Sequence, residues 1–334
     1  MNIYITLDYE LFFAEHSGSV EKSIIEPTEK LLESIEKCMV KLCFFVDAGY
    51  LVRLKKYKDA FPQLQKDYDL ITKQIKMLHE HGHDIQLHIH PHWEDTDYHD
   101  NQWHMNTTRY RIHKFSVDET EAIVASYKKI LTDIVGDTVF AYRAGGWCIQ
   151  PFSHLKDALQ KHNIWLDSTL YHDGHKDNST HYLDFRNMPN KTEWKFSDDP
   201  LVEDKNGFFT EVPISSTTVS PLFYIKYALV RKFDKIGHQI MGDGKGVGRE
   251  GKDNREMLTK FTPAVASIDG YRMSYLQKTL NDYVKKSDNK HFVVMGHPKA
   301  ATMYSLEKLK EFVINNHTKH NFTTYTNAFI KKAR

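Results

Sequence analysis

Residues 82–93 read GHDIQLHIHPHW, and the remainder of the chain makes most sense as a frame around them. Asp84 to His90 alternates polar with apolar side chains and carries β-branched isoleucines, the pattern of a strand. Pro91 ends it, because proline has no N–H to give to a sheet ladder. A period of two puts His88 and His90 on one face, while His92 lies past the proline and can swing back towards His88. Imidazole is a common ligand for borderline metals, and closely spaced histidines let one short segment donate two nitrogens with little entropy to lose. A His-rich surface turn is the plainer reading in a chain with 20 histidines, but three in alternation at a strand end point to a metal or to catalysis.

Outward from this strand, helix and strand patterns alternate. Upstream come a helix at 61–81 stopped by Gly82, a buried-type strand at 42–47, a helix at 27–40 with Pro27 at its start, and a first strand at 2–8. Downstream, an aromatic-rich loop at 93–114 leads to a helix at 117–135, for which Ser116 and Glu119 supply a capping box. Then follow a strand at 138–144, a helix at 152–162, a strand at 164–169, a polar loop at 170–206 and a strand at 208–214. After a mixed insertion at about 215–270 come a helix at 273–286, a strand at 291–296, a helix at 305–315 and a last strand, FTTYT. Seven or eight strands alternating with helices predict an α/β fold, a distorted (β/α) barrel, with residues 1–334 as one catalytic domain.

Composition narrows the function. A hydrophobic content of 40% suffices for a sizeable core, and a net charge of +1 makes no electrostatic case for nucleic acid or an anionic membrane. Cys38, Cys43 and Cys148 have no CxxC spacing, so neither a disulfide framework nor a cysteine zinc site is expected. MNIYITLDYELFF lacks the basic and apolar regions of a signal peptide, and no run is long and apolar enough to span a bilayer, so the expected location is cytoplasmic.

The polar residues gather at the C-terminal ends of the predicted strands: Asp8 and Glu10, Asp47, His88 and His90, Arg143, Asp167, Glu211 and His297. In a β/α barrel those ends converge on one mouth, where sites of this fold lie. Five segments at these ends, TLDYE (6–10), GHDIQLHIHPHW (82–93), RAGGW (143–147), WLDST (165–169) and VVMGHP (293–298), together resemble the motifs of the polysaccharide deacetylases, the NodB-homology or carbohydrate esterase family 4 group.

The resemblance implies a metal-dependent hydrolase that removes N-acetyl groups from the amino sugars of a polysaccharide or its precursor. It implies Asp8 as general base, with Glu10 taking the ligand role that Tyr9 leaves vacant. It implies His88 and His92 as metal ligands, with His90 an alternative because Ile89 replaces a small hydroxyl residue. Arg143 would hold the catalytic carboxylate, and Asp167 would orient His297, the acid that protonates the leaving amine. A carboxylate and imidazoles suit Zn²⁺ first, with Co²⁺, Ni²⁺ or Fe²⁺ as alternatives.

Gly145 and Gly146 would let backbone approach an oxyanion, and Trp93, Tyr98, Trp103, Trp147, Trp165 and Tyr171 are candidates for sugar contact. GDGKGVGREGKD (242–253) fails the P-loop spacing and reads as a flexible loop or lid whose Lys245, Arg249 and Lys252 could meet a diphosphate. Two other readings stay open: an amide or other C–N bond hydrolase, metal-free if Tyr9 has cost a ligand, and a non-catalytic glycan-binding protein.

Overall fold

Alternation along the first strand separates two cores. Strand β1 (Asn2–Tyr9) sends Ile3, Ile5 and Leu7 into an apolar layer beneath the helices, while Tyr4 faces a second cluster inside the curve of the sheet. The computed structural model describes residues 1–13, 16–246 and 251–330, with backbone alone over 251–254. Among these, β1 is followed in the main sheet by β2 (Cys43–Asp47), β3 (Asp84–Ile89), β4 (Ala141–Ala144), β5 (Leu166–Asp167), β6 (Trp194–Phe196), β7 (Phe209–Glu211), β8 (His291–Gly296) and β9 (Asn321–Phe322). Their spatial order is β6-β7-β5-β4-β3-β2-β1-β8, with β9 also on β1; every pairing is parallel except β6 with β7.

The curl closes through irregular chain. Ser215, just beyond β7, donates its N–H to the carbonyl of Val293 in β8, while Ile268 donates to the Met295 carbonyl and Met295 to the Ala266 carbonyl, a parallel bridge centred on Ser267. The fold is therefore the distorted α/β barrel expected from the alternation. Helices α1 (Glu26–Ile35), α2 (Ala48–Tyr57), α3 (Pro62–Glu80), α4 (Val117–Val135) and α5 (Lys156–Lys161) cover its first half. The capping box at Ser116 forms in both directions, and Gly82 and Gly136 take positive φ where α3 and α4 stop.

Three features depart from the sequence reading. Helix α2 fills the stretch after β2 that carried no helix assignment. The polar loop at 170–206 contains strand β6 and the hairpin His175–Asp177 with Tyr182–Asp184. The expected last strand FTTYT is only Asn321–Phe322, because the chain then turns inwards and plugs the barrel floor with Tyr325, stacked on Tyr4 at 4.6 Å. The insertion holds a hairpin, Ser216–Val219 with Thr262–Val265, and helices α6 (Pro221–Phe233), α7 (Lys235–His238) and α8 (Gly251–Thr259). Helices α9 (Leu276–Val284) and α10 (Met303–Asn316) flank β8 in sequence. No helix among the described residues is long and apolar enough to cross a membrane.

Candidate metal centre and catalytic groups

Register sets the level of the site. Asp47, His88 and Arg143 stand side by side across β2, β3 and β4, on the face opposite to the helix-packed Val46, Leu87 and Tyr142. Asp8 and Glu10 reach the same face because β1 alternates; Tyr9, between them, points the other way and donates its hydroxyl to Gln74 of α3 at 2.8 Å. The residue that broke the expected motif is thus a packing residue, and the carboxylate returns one position later.

Glu10, His88 and His90 form the buried group able to hold a metal. Glu10 Oε2 lies 3.1 Å from His88 Nε2 and 2.8 Å from His90 Nε2, and the two nitrogens are 3.1 Å apart. His88 Nδ1 is 2.9 Å from the carbonyl oxygen of Arg143, which can only accept, so Nδ1 carries a hydrogen and Nε2 is the nitrogen aimed at the other two donors. Burial lowers the pKa of His90 to about 4, against the pull of Glu10, and so keeps that ring neutral as a ligand must be. Burial opposes the charge on His88, but Asp8 and Glu10 raise its pKa, so a metal would displace a proton from that ring. Two imidazoles and one carboxylate oxygen converging at these distances fit a borderline divalent cation.

His92 stands apart from this group. Pro91 opens a short helical turn, Pro91–Asp95, that carries His92 behind His90, where it stacks between Trp93 and Tyr110 with ring centroids 5.5 and 5.4 Å away. Neither ring nitrogen has a hydrogen-bond partner among the described residues, and burial holds its pKa well below the usual histidine range. The pairing of His88 is therefore with His90, two residues on along the strand face, and not with His92. A second His–Asp–His group, His99, Asp100 and His104, lies towards solvent. Its imidazoles stack face to face at 3.5 Å and 7°, which leaves their in-plane lone pairs parallel instead of convergent.

Asp8 is fixed on one side and free on the other. Arg143, fully buried, donates to Asp8 Oδ1 at 2.7 Å, to Thr6 Oγ1 at 2.9 Å and to the carbonyl of Ser168 at 2.8 Å. Asp8 Oδ2 is left 4.0 Å from His88 Nε2 and 3.7 Å from His297 Nε2.

The partner of His297 is Asp269, not Asp167. Asp269 accepts the His297 backbone N–H at 2.8 Å and its Nδ1 at 2.9 Å. Burial disfavours both charges, but the pairing prevails: His297 titrates above its usual range, helped by Asp8 and Glu10, and Asp269 below its own. Asp167 fails to reach the site for a reason of parity. Leu166 shares the inner face with Ala141, so Asp167 lies level with Tyr142 on the outer face, beside Glu211 of β7. There it accepts from Thr169 Oγ1 at 2.7 Å.

Two functional candidates went unread in the sequence. Asp269 sits at the end of the insertion, remote in sequence from every motif; its Asp-Gly step signals only a turn. Lys299 follows His297 by two residues and reads as surface charge, yet it is buried and donates to Glu10 Oε1 at 2.9 Å and to the carbonyl of Leu11. Burial works against ionisation of Glu10, but Lys299, His90 and His88 together hold its carboxyl well below the usual range. Because Lys299 takes Oε1, Oε2 is the oxygen left for a ligand bond.

Other expected roles change. A Cβ on Gly145 would fall 2.5 Å from His90 Nδ1, so that glycine makes room for the imidazole, and Tyr110 and His181 fill the space before Gly146. Trp93 is buried with its indole N–H 2.6 Å from Asp47; Trp103 packs with it around Tyr50, Tyr98 packs on Trp103, and Trp165 stacks on Phe140. Of the six aromatics, Trp147 and Tyr171, in edge contact at 5.4 Å, remain as partly open ones away from these clusters. The glycine segment at 242–246 is tied down: Gly242 N–H bonds the Lys299 carbonyl, Lys245 N–H the His16 carbonyl, and Asp243 caps Ser19. Arg249 and the side chain of Lys252 lie outside the described residues.

No family model matches the sequence, and no curated protein matches it. Solved structures do. A Mycobacterium smegmatis protein provisionally assigned as a polysaccharide deacetylase is 13% identical with a TM-score of 0.52, over 98% of this chain and 88% of that one. An allantoinase follows at 10% identity and a TM-score of 0.49, over 98% and 88%; a polysaccharide deacetylase from Bacillus cereus is at 10% and 0.42, over 98% and 93%. The chain has the fold of the polysaccharide deacetylases. At these identities it stands as a divergent example of that fold.

Proposed function

We propose that the protein is a metal-dependent hydrolase that removes the acetyl group from an N-acetylated amino sugar. The observation that carries this reading is the meeting, at one barrel mouth, of three metal donors with a clamped carboxylate and a carboxylate-backed histidine. Glu10, His88 and His90 would hold a divalent ion, Zn²⁺ being the first choice, and a bound ion there would polarise the acetyl carbonyl and acidify water. Asp8 Oδ2, held in place through Arg143, takes a proton from the attacking water. His297 Nε2, 3.7 Å from that oxygen, gives one to the departing amine, while Asp269 steadies the imidazolium. Trp147 and Tyr171 supply apolar faces for a sugar ring.

A second reading is favoured by Lys299. Its ion pair with Glu10 already neutralises the carboxylate that a metal would need, which suits a metal-free hydrolase of another C–N bond on the same scaffold. One experiment separates the two. Tag-free protein is analysed for bound metal and assayed for acetate release from N-acetylated amino-sugar oligomers, beside a His88→Ala, His90→Ala variant. About one ion per chain, lost with activity in the variant, supports the deacetylase. Amine release from small amides that persists in chelator supports the alternative, and neither activity sinks both.

A further inference from the structure

Helix α6 packs on α8 and on Tyr271, and among the described residues its other side is bare. Phe223 and Tyr227 pack on Tyr271, with ring centroids at 5.7 and 6.0 Å. At 100° per residue, Leu222, Ile225, Leu229 and Phe233 share a stripe turned away from that contact. They are 65%, 43%, 48% and 77% exposed, and Ile236 of the separate helix α7 is 87% exposed. Lys226 and Lys232 flank the stripe, one on each side, and both are exposed. Residues 221–235 hold Lys226, Arg231, Lys232 and Lys235 against one carboxylate, Asp234, which caps the Gly237 N–H and pairs with His238. The whole chain's charge of +1 conceals this local excess.

We propose that α6 docks the protein on the surface of an anionic lipid bilayer. An apolar stripe of large side chains bordered by lysines suits a helix lying in the interface plane, its stripe among acyl chains and its ammonium groups at the phosphates. Thirteen residues make a helix about 20 Å long, too short to span a bilayer and of the right form to lie in it. Charge complementarity is what favours this occupant over a second copy of a chain whose net charge is only +1. The docked face also leads to the site: after α7, the N–H groups of Met241 and Gly242 bond the carbonyls of Ala301 and Lys299, just beyond His297.

The test is sedimentation of the tag-free full chain with vesicles of phosphatidylcholine alone or mixed in equal parts with phosphatidylglycerol. Binding is expected to the mixed vesicles only, weakening as salt rises. Leu229→Ser with Phe233→Ser, and separately Lys226→Glu with Lys232→Glu, should each reduce it by more than about tenfold. These positions are exposed, so thermal melts of the variants should match the parent. Failure to bind, or equal binding by all forms, overturns the proposal. So does a concentration-dependent dimer in ultracentrifugation that Phe233→Ser abolishes, which would assign the stripe to a second copy.

Discussion

Two pairs of buried acids sit at the same end of the same sheet and have opposite fates. Asp8 and Glu10 face inwards, where Arg143 and Lys299 donate to them at 2.7 and 2.9 Å. Asp167 and Glu211 face outwards, one and two strands beyond Arg143, with Thr169 Oγ1 and the Leu170 N–H as their donors. One oxygen of each of these outer acids has no donor, and burial drives both pKa values up, Glu211 well above the usual range. The outer pair is best described as sharing a proton. Cationic partners, not residue type, separate the two pairs: the inner acids each accept from a cation, while the outer acids have no cation in contact among the described residues and are left to hold a proton between them.

Exchanging aspartate for asparagine on each side should break the symmetry most widely. Asp269→Asn, which removes the charge behind His297, is expected to lower kcat by about 10²–10⁴-fold, with the alkaline limb of the pH profile moved to lower pH. Asp167→Asn should leave kcat near the parent's. Equal losses would restore Asp167 to the catalytic role that the sequence implied.

Next in size is the effect of uncovering Glu10. In chelator, Lys299→Met should cost about 3–5 kcal/mol in urea unfolding by stranding a buried charge, and adding Glu10→Gln should recover most of it. A single-variant loss that the second change fails to recover would mean that Lys299 acts through packing alone.

The histidines sharpen the contrast within a single strand end. His90→Ala is expected to weaken divalent-ion binding by at least about a hundredfold in calorimetric titration, while His92→Ala keeps one ion per chain. The reverse ranking would return the ligand role to His92.

The smallest effect belongs to the outer acids. Burial and the neighbouring Asp167 raise the Glu211 pKa in the folded protein, so above the usual carboxylate range the folded form binds more protons than the unfolded one and stability falls as pH rises. Glu211→Gln removes that slope; its stability relative to the parent should grow with pH. Parallel stability curves would show that Glu211 does not hold a proton in the folded protein.

Much of the architecture was legible because it rests on local periodicity. The strands at 2–8, 42–47 and 291–296 and the capped helix at 117–135 lie within a residue or two of their expected bounds. Glu10 was legible for the same reason, since alternation returns it to the face of Asp8. What failed was whatever needed a second element to define it. Strand β5 spans only Leu166–Asp167, too short to reveal its own parity, and only pairing with β4 shows that Asp167 faces the helices.

The amino-acid sequence by itself determined the barrel, the end at which polar groups collect, and a strand face carrying His88 and His90, because alternation and helical spacing are properties of neighbouring residues. Tertiary structure alone decided that Asp269 backs His297, that Lys299 is buried on Glu10, and that the α6 stripe is left uncovered. Those outcomes depend on how distant segments close around one another, as Asp269 and Glu10 show: each meets its partner only when β1, β8 and the insertion meet at the mouth.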